Sequence, residues 1–418
     1  MAQPRTYICI DGKCFYASVE CVDRNLDPMT AKLVVADTTR TEATICLAVS
    51  PAMKKLGVKN RCRLYEIPPK LDYIIARPRM QRYIDAFAEI YGICMKYVAK
   101  EDIHVYSIDE MFMDITDYLS YRGQTPKQFA QMIIQDIRDN VGVPFTCGIG
   151  SNLYLAKITL DIIAKHEPDF IGELDEESYK QRLWDHRPIT DFWRVGRGTA
   201  ARLERMGLLT MRDVAHADEK QLYKTFGIDA ELLIDHAWGR EPTLISDIHA
   251  YRPKTTSLTS GQVLPRGYAY DEGRIIVREM AEELALDMFD KGLSANNIAL
   301  FLSYSFASNL PTSRAGISVV PTSSVSTICN TVVRLYESAR DPKAPMHRVN
   351  IAFGVNPDLG QQYDMFSSPE KQDKERQLQS TILSIRKKHG KNSILRAMDL
   401  MEGARTIERH NQIGGHRA

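Results

Sequence analysis

Two short acidic segments, far apart in the chain, constrain it more than anything else it contains: Tyr7-Ile8-Cys9-Ile10-Asp11 and Tyr106-Ser107-Ile108-Asp109-Glu110. Each places carboxylates at the end of an apolar, β-branched run, where a buried strand emerges and its side chains can converge on divalent cations. Three carboxylates around two metal ions is an arrangement suited to phosphoryl transfer. Adjacent Asp109 and Glu110 point opposite ways on a regular strand, so both reach one site only if a turn or bulge lies there.

With 418 residues, 44% hydrophobic and 26% charged, the chain is long enough for two to four domains with substantial cores. Its net charge of +1 is no polycationic signature, so any nucleic-acid affinity must come from locally segregated basic surfaces. The eight cysteines are scattered, without paired C-x-x-C spacing, and several sit inside apolar runs such as Ile93-Cys94-Met95. That pattern fits reduced core thiols of a cytosolic protein rather than disulfides or zinc. No apolar stretch approaches the roughly 18 residues needed to span a bilayer, and no signal peptide is expected. A cytoplasmic protein without a membrane partner is expected.

Along the chain, Thr6 to Ile10 reads as a strand and Cys14 to Glu20 begins a helix. Lys32 to Ala36 and Ala43 to Val49 are β-rich, followed by a short helix from Pro51 that ends at Gly57. Helical spacing runs through Met80, Tyr83, Ile84, Phe87, Ile90, Tyr91, Cys94 and Val98, and again through Phe129, Met132, Ile133 and Ile137 after Thr125-Pro126. The strand with Asp109 and Glu110 lies between these helices, and Phe145 to Gly150 reads as another. Strands covered by helices on one side make an α+β core.

Gly196-Arg197-Gly198 falls between two short helical patterns, where backbone N–H groups at a helix N-terminus can meet a phosphate, although a tight turn between packed helices gives the same spacing. A proline-bearing linker, Glu241-Pro242 to Arg252-Pro253, precedes a unit that reads β, α, β, β, α, β. In it Ile298, Leu300, Leu302, Tyr304 and Phe306 alternate with Ala299, Phe301, Ser303 and Ser305, the period of a half-covered strand, so one sheet face is left free of helices. Beyond Pro357 the composition turns to Gln, Ser and charges. Pro369 to Arg376 reads as a polar linker before a basic tail containing Arg386-Lys387-Lys388.

The run Ile10 to Glu20 (IDGKCFYASVE), with Ser107 to Asp114 (SIDEMFMD) and Gly148 to Lys157 (GIGSNLYLAK), resembles the Y-family, or translesion, DNA polymerases in order and interval. The resemblance extends through the Gly-x-Gly segment and the βαββαβ unit to about residue 355. Within the family it is similar to the branch of the DNA polymerase V catalytic subunit and its relatives in Gram-positive bacteria, plasmids and phages, partly through the tail Glu408-Arg409-His410-Asn411 to Gly414-Gly415-His416.

The resemblance implies a multidomain α+β right hand. Its palm would be 1–11 and 75–168, its fingers 12–74, its helix-hairpin-helix thumb 169–242 and its little finger 252–356, with 357–418 carrying a clamp-binding peptide and the basic tail. It implies template-directed DNA synthesis across damaged bases, of low fidelity and processivity, in DNA damage tolerance and SOS mutagenesis. Asp11, Asp109 and Glu110 match the metal-binding carboxylates, with the Gly12 carbonyl completing one shell around two Mg²⁺ ions. Cys14, Phe15 and Tyr16 match the nucleotide-binding turn, Tyr16 as the aromatic under the sugar that excludes a 2′ hydroxyl. Lys157 matches the triphosphate-binding lysine, and Lys54 takes the place of a basic fingers residue. Gly196 and Gly198 match the turn that binds DNA phosphates. Gln362, Met365 and Phe366, in Gln-Tyr-Asp-Met-Phe, fit the peptides that dock into the bacterial sliding clamp.

Expected partners are therefore primer-template DNA, dNTPs and the sliding clamp, with RecA or accessory subunits as further candidates. Two positions depart from the family pattern: Lys13, where an acidic or polar residue is usual, and Pro51, near where a triphosphate-contacting Tyr is usual. Both leave nucleotide affinity and rate open. Two other classes stand as alternatives. A catalytically silent adaptor in a lesion-bypass complex would usually lack one of the carboxylates, and a nucleotide cyclase would not need the Gly-x-Gly, the βαββαβ unit or the clamp peptide.

Overall fold

The computed structural model describes residues 5–39, 43–253, 256–304, 309–358 and 369–418. The chain divides into two compact units, Met1–Tyr251 and Arg252–Ala418.

The first unit opens with β1 (Tyr7–Gly12) and α1 (Phe15–Val22). A small sheet follows from β2 (Leu33–Val35), β3 (Ala48–Val49) and β4 (Ile74–Ala76), with α2 (Pro51–Lys55) between its second and third strands. β2 pairs antiparallel with β3 and parallel with β4, so this sheet reaches Ala76. Pro51 starts α2 at a position that needs no N–H, and the Ser50 Oγ accepts from the Met53 N–H (3.4 Å). Next come α3 (Met80–Cys94), β5 (Ile103–Val105), β6 (Glu110–Asp114), α4 (Thr116–Arg122), α5 (Pro126–Val141), β7 (Phe145–Gly150), α6 (Leu153–Ile158) and β8 (Ile171–Leu174).

The main sheet runs β5-β6-β1-β7-β8, antiparallel except for β7–β8. Every residue of β6 and β7 is buried, so these strands are covered on both faces, not one as their neighbouring helices suggested. The second cover is α6. A Cβ on Gly148 would stand 2.1 Å from the Ala156 carbonyl oxygen, and one on Gly150 would stand 2.2 Å from the Ala156 nitrogen. The two glycines therefore admit α6 backbone directly onto the sheet. Asn152 caps this helix by accepting from the Leu155 N–H (2.8 Å) while its Nδ2 donates to the Gly239 carbonyl (2.8 Å).

The rest of the first unit is helical: α7 (Glu176–Arg182), α8 (Arg197–Arg205), α9 (Met211–Ala215), α10 (Glu219–Phe226), α11 (Asp229–Ala237) and α12 (Ile245–Ala250). Only a three-residue turn, Ile189–Asp191, precedes the Gly-x-Gly, where a helical pattern was expected. Phe192 is buried in the core of this region and Trp193 packs against it, which ends the turn instead of extending a helix.

The second unit has the expected order: β9 (Thr256–Tyr268), α13 (Tyr270–Asp290), β10 (Leu293–Tyr304), β11 (Ser313–Thr322), α14 (Val325–Ala339) and β12 (Met346–Pro357), in a sheet ordered β11-β10-β12-β9. Ile298, Leu300 and Leu302 are fully buried with Ile276, Met280 and Val332, whereas Ala299 and Phe301 between them are only partly covered. Alternate residues of β10 therefore define one helix-covered face.

Past this sheet the chain differs from expectation. Pro369 to Arg376 is not a linker but the start of α15 (Pro369–His389), followed by α16 (Thr406–His410) and a hairpin of β13 (Gln412–Ile413) and β14 (His416–Arg417). Ile382 joins the sheet's apolar core and Leu383 packs against it. Glu283 on α13 accepts from Arg386 (2.8 Å) and Lys391 (2.8 Å) and meets His410 Nε2 (3.2 Å). Buried Glu279 accepts from the N–H groups of Arg405 (3.1 Å) and Thr406 (3.2 Å). Much of the tail's positive charge is thus matched by carboxylates of α13.

Candidate active site

Asp11 and Glu110 stand opposite each other across the β1–β6 pair, so their side chains leave the same face of the sheet. Asp109 precedes β6 in a bend, closed by the Tyr106 and Ser107 N–H groups donating to the Glu110 carbonyl (3.0 and 3.1 Å). That bend is what allows neighbouring Asp109 and Glu110 to depart from simple strand alternation. It also corrects the sequence reading: Glu110 opens a strand, and Asp109 belongs to the bend before it. Because β6 runs antiparallel to β1, its first residue meets the last residues of β1. The Gly12 N–H donates to the Asp109 carbonyl (2.9 Å) and locks the two segments together. A Cβ on Gly12 would stand 2.8 Å from Phe15 Cδ2, so glycine lets the chain turn tightly into α1.

The electrostatics of this corner are those of crowded acids. Burial, and then the Asp109 charge, push the Asp11 carboxyl up to about 7, with Lys165 opposing. Ser107 Oγ donates to Asp109 Oδ1 (2.6 Å) and holds that side chain. Glu110 takes part in a different cluster: Lys157 Nζ lies 2.9 Å from its Oε1 and 2.8 Å from Asp161 Oδ2, and the Cys9 thiol donates to Glu110 Oε1 (3.3 Å). Burial alone would favour loss of the Lys157 proton, but the Asp161 and Glu110 carboxylates hold it charged. Among the described residues no group of three or more acid, His or Cys side chains is assembled for a metal ion. Asp11 and Asp109 come together, and the ion pair with Lys157 engages the third carboxylate.

The donor chemistry nevertheless suits a hard cation. Two half-buried carboxylates beside the end of β1 are the oxygen ligands that Mg²⁺ takes, and a dication would offset the burial and the repulsion that raise Asp11. Glu110 would join them on release from Lys157.

Cys14 sits at the start of α1 in the left-handed region (φ 52°). The Phe15 side chain points into the core, edge-on to Phe87 (centroids 6.5 Å apart), so only its backbone is offered to a ligand. Tyr16 is half-buried beside the acids, its hydroxyl pushed up by burial and by Asp109. Lys54 is exposed in the last turn of α2. Lys13 lies over the Phe170 ring (3.4 Å), and its pKa is lowered by burial and by Lys165, Lys54 and Lys55. Lys165 thus belongs to the positive field facing the acids, a residue missed in the sequence because only the π-turn and the turn after it (Thr159–His166) bring it round.

Gly196 and Gly198 lie at the N-terminus of α8, which has no side-chain cap, and a Cβ on either would meet nothing within 4 Å. Their backbone is therefore open to a large anion. A cavity of about 350 Å³ opens beside this turn, lined in part by Trp193, Arg194 and Thr199. Gln362, Met365 and Phe366 lie outside the described residues.

Known proteins resemble this chain in sequence and in fold. The impB/mucB/samB family model matches residues 10–161, and the model of that family's C-terminal domain matches 256–365. The chain is 30% identical to the putative UV-damage repair protein UvrX of Bacillus subtilis, over 99% of this chain and 98% of that one. It is also 30% identical to DNA polymerase IV 2 of the same organism, over the whole of both chains. In fold it is similar to a Y-family DNA polymerase chimera, Dbh-Dpo4(243-245)-Dbh, with a TM-score of 0.65 and 20% identity over 84% of this chain and 98% of that one. The chain belongs to the impB/mucB/samB family, the Y-family DNA polymerases. Its enzyme class is that of a DNA-directed DNA polymerase.

Proposed function

We propose that this polymerase copies damaged templates by two-metal nucleotidyl transfer, in DNA damage tolerance of the SOS kind. The observation that carries the reading is the Asp11–Asp109 pair at the meeting of β1 and β6, with Glu110 opposite Asp11. When bound, two Mg²⁺ ions would supply activation of the primer hydroxyl and neutralisation of the leaving pyrophosphate. Asp11, Asp109, Glu110 and the Gly12 carbonyl are the groups to hold them. Lys157, kept charged by its neighbours, stands ready to exchange Glu110 for a triphosphate oxygen, with Lys54 as a second cation. The Cys14–Tyr16 turn receives the deoxynucleotide, and Tyr16 excludes a 2′ hydroxyl.

The open backbone at Gly196 and Gly198 would bind DNA phosphates, and the free face of the β9–β12 sheet would add non-specific duplex contact. We assign residues 1–11 and 75–168 to the palm, 12–74 to the fingers, 169–242 to the thumb and 252–356 to the little finger. A clamp-docking peptide at Gln362, Met365 and Phe366 would raise local concentration on DNA. No helix among the described residues is long and apolar enough to cross a membrane, which accords with a cytoplasmic setting.

Extension of a primed template with dNTPs and Mg²⁺ at low salt tests the reading, comparing wild type with Asp109→Ala/Glu110→Ala. Extension past an abasic site by wild type alone supports it. Extension by neither, even with clamp and RecA filament supplied, would refute it and favour an adaptor.

A further inference from the structure

Tyr16 does not stand by itself. Its ring lies face to face with that of Tyr83 on α3, with centroids 4.4 Å and planes 15° apart. Tyr83 is fully buried, and its hydroxyl donates to Glu20 Oε1 (2.8 Å). Glu20, on the helix that carries Tyr16, is fully buried as well, and it is gripped from outside. Arg79 Nε and Nη2 donate to its two oxygens (2.9 and 3.0 Å), and Arg24 donates to it also. Arg79 is braced in turn by Asp23 (2.6 Å), which accepts from Arg82 (3.0 Å).

A carboxylate taken fully out of water persists only where such partners satisfy it. The chain Arg79–Glu20–Tyr83 therefore fixes both the place and the plane of the Tyr83 ring. That ring is the surface against which Tyr16 rests. Offset and stacked aromatic pairs have a preferred geometry, so a ring held on one side constrains its partner.

We propose that Tyr83 is a positioning residue for nucleotide sugar selection: anchored by Glu20 and Arg79, it fixes the Tyr16 ring so that the gate resists a 2′ hydroxyl. This rests on Tyr16 being the gate. Without the backing ring, Tyr16 can turn among its rotamers and yield to the extra oxygen. Selectivity then falls through better use of ribonucleotides, not through a general loss of activity.

The test is kcat/KM for a dNTP and the matching rNTP, on one primed template, in wild type, Tyr16→Ala, Tyr83→Phe, Tyr83→Leu and Tyr16→Ala/Tyr83→Leu. Tyr83→Phe keeps the ring but frees it from Glu20 and should lower the dNTP/rNTP ratio by about threefold, whereas Tyr83→Leu removes the ring and should lower it by about tenfold, mainly by raising the rNTP value. In the Tyr16→Ala background, Tyr83→Leu should change the ratio no further.

Arg79, whose side chain reaches solvent, provides a variant that spares the core. Arg79→Ala should shift the ratio in the same direction by about threefold, the factor expected from loosening one anchor, and serves if Tyr83→Leu does not fold. A wild-type ratio in Tyr83→Leu or Arg79→Ala, or equal losses for both nucleotides, overturns the inference while leaving the gate intact. A wild-type ratio in Tyr16→Ala overturns the gate reading itself, and the inference with it.

Discussion

Asp11→Asn should stabilise the metal-free protein while destroying its activity. In the fold the Asp11 carboxyl is raised to about 7 by burial and by Asp109, against about 3.9 in an unfolded chain. The folded state therefore holds the proton more tightly. Below about pH 4 both states carry it and nothing is lost; between about 4 and 7 the unfolded chain ionises freely, the folded site does so only against Asp109, and stability falls. Above pH 7 the full cost remains. The difference in pKa corresponds to about 4 kcal/mol at most. Asp11 is only partly shielded from solvent, so a cost of about 2 kcal/mol is the better expectation. In a body the size of the first unit that is about 4–8 °C in Tm. Thermal unfolding in excess chelator should show Asp11→Asn melting higher than wild type at pH 8 by this margin, with the gap closing toward pH 4. Added Mg²⁺ should raise wild type and not the variant. Equal or lower melting of the variant at pH 8, or a gap indifferent to pH, would refute the account of Asp11 as a buried, repelled carboxylate.

Other consequences can be checked independently. Gly148→Ala would drive a Cβ into the α6 backbone at 2.1 Å, so a loss of more than about 3 kcal/mol is expected in denaturant melts, together with lost primer extension as Lys157 is displaced. Glu283→Ala removes the shared partner of Arg386, Lys391 and His410; hydrogen exchange across α15 and α16 should quicken, with about 2 kcal/mol lost from the second unit. Glu283 is held below the usual carboxylate range: burial alone would raise it, but His410 and Lys391 outweigh that. Its contribution is therefore present above about pH 4 and is lost as pH falls through its folded value. Gly196→Ala and Gly198→Ala have open space for a methyl group; stability should stay within about 0.5 kcal/mol, while DNA binding, read by fluorescence anisotropy, weakens severalfold.

Much of this protein is written locally. The strand Tyr7–Gly12, the helices from Met80 and Pro126, the βαββαβ order and the glycines beside Lys157 all follow from periodicity, caps and turn residues acting over a few neighbours. The acids proposed for the site are marked in the same local way, Asp11 near the end of one strand and Glu110 at the start of another, with Asp109 in the bend before it. What the sequence could not specify is where side chains with long reach find their partners. Glu110 pairs with Lys157, Tyr16 rests on Tyr83, and the tail beyond Pro369, whose first residues read as a linker, folds onto α13, where Glu283 meets Arg386 and Lys391 and Glu279 accepts from the backbone N–H groups of Arg405 and Thr406. Those choices depend on desolvation and on contacts between residues distant in the chain, and neither exists until the sheet and its helices have packed.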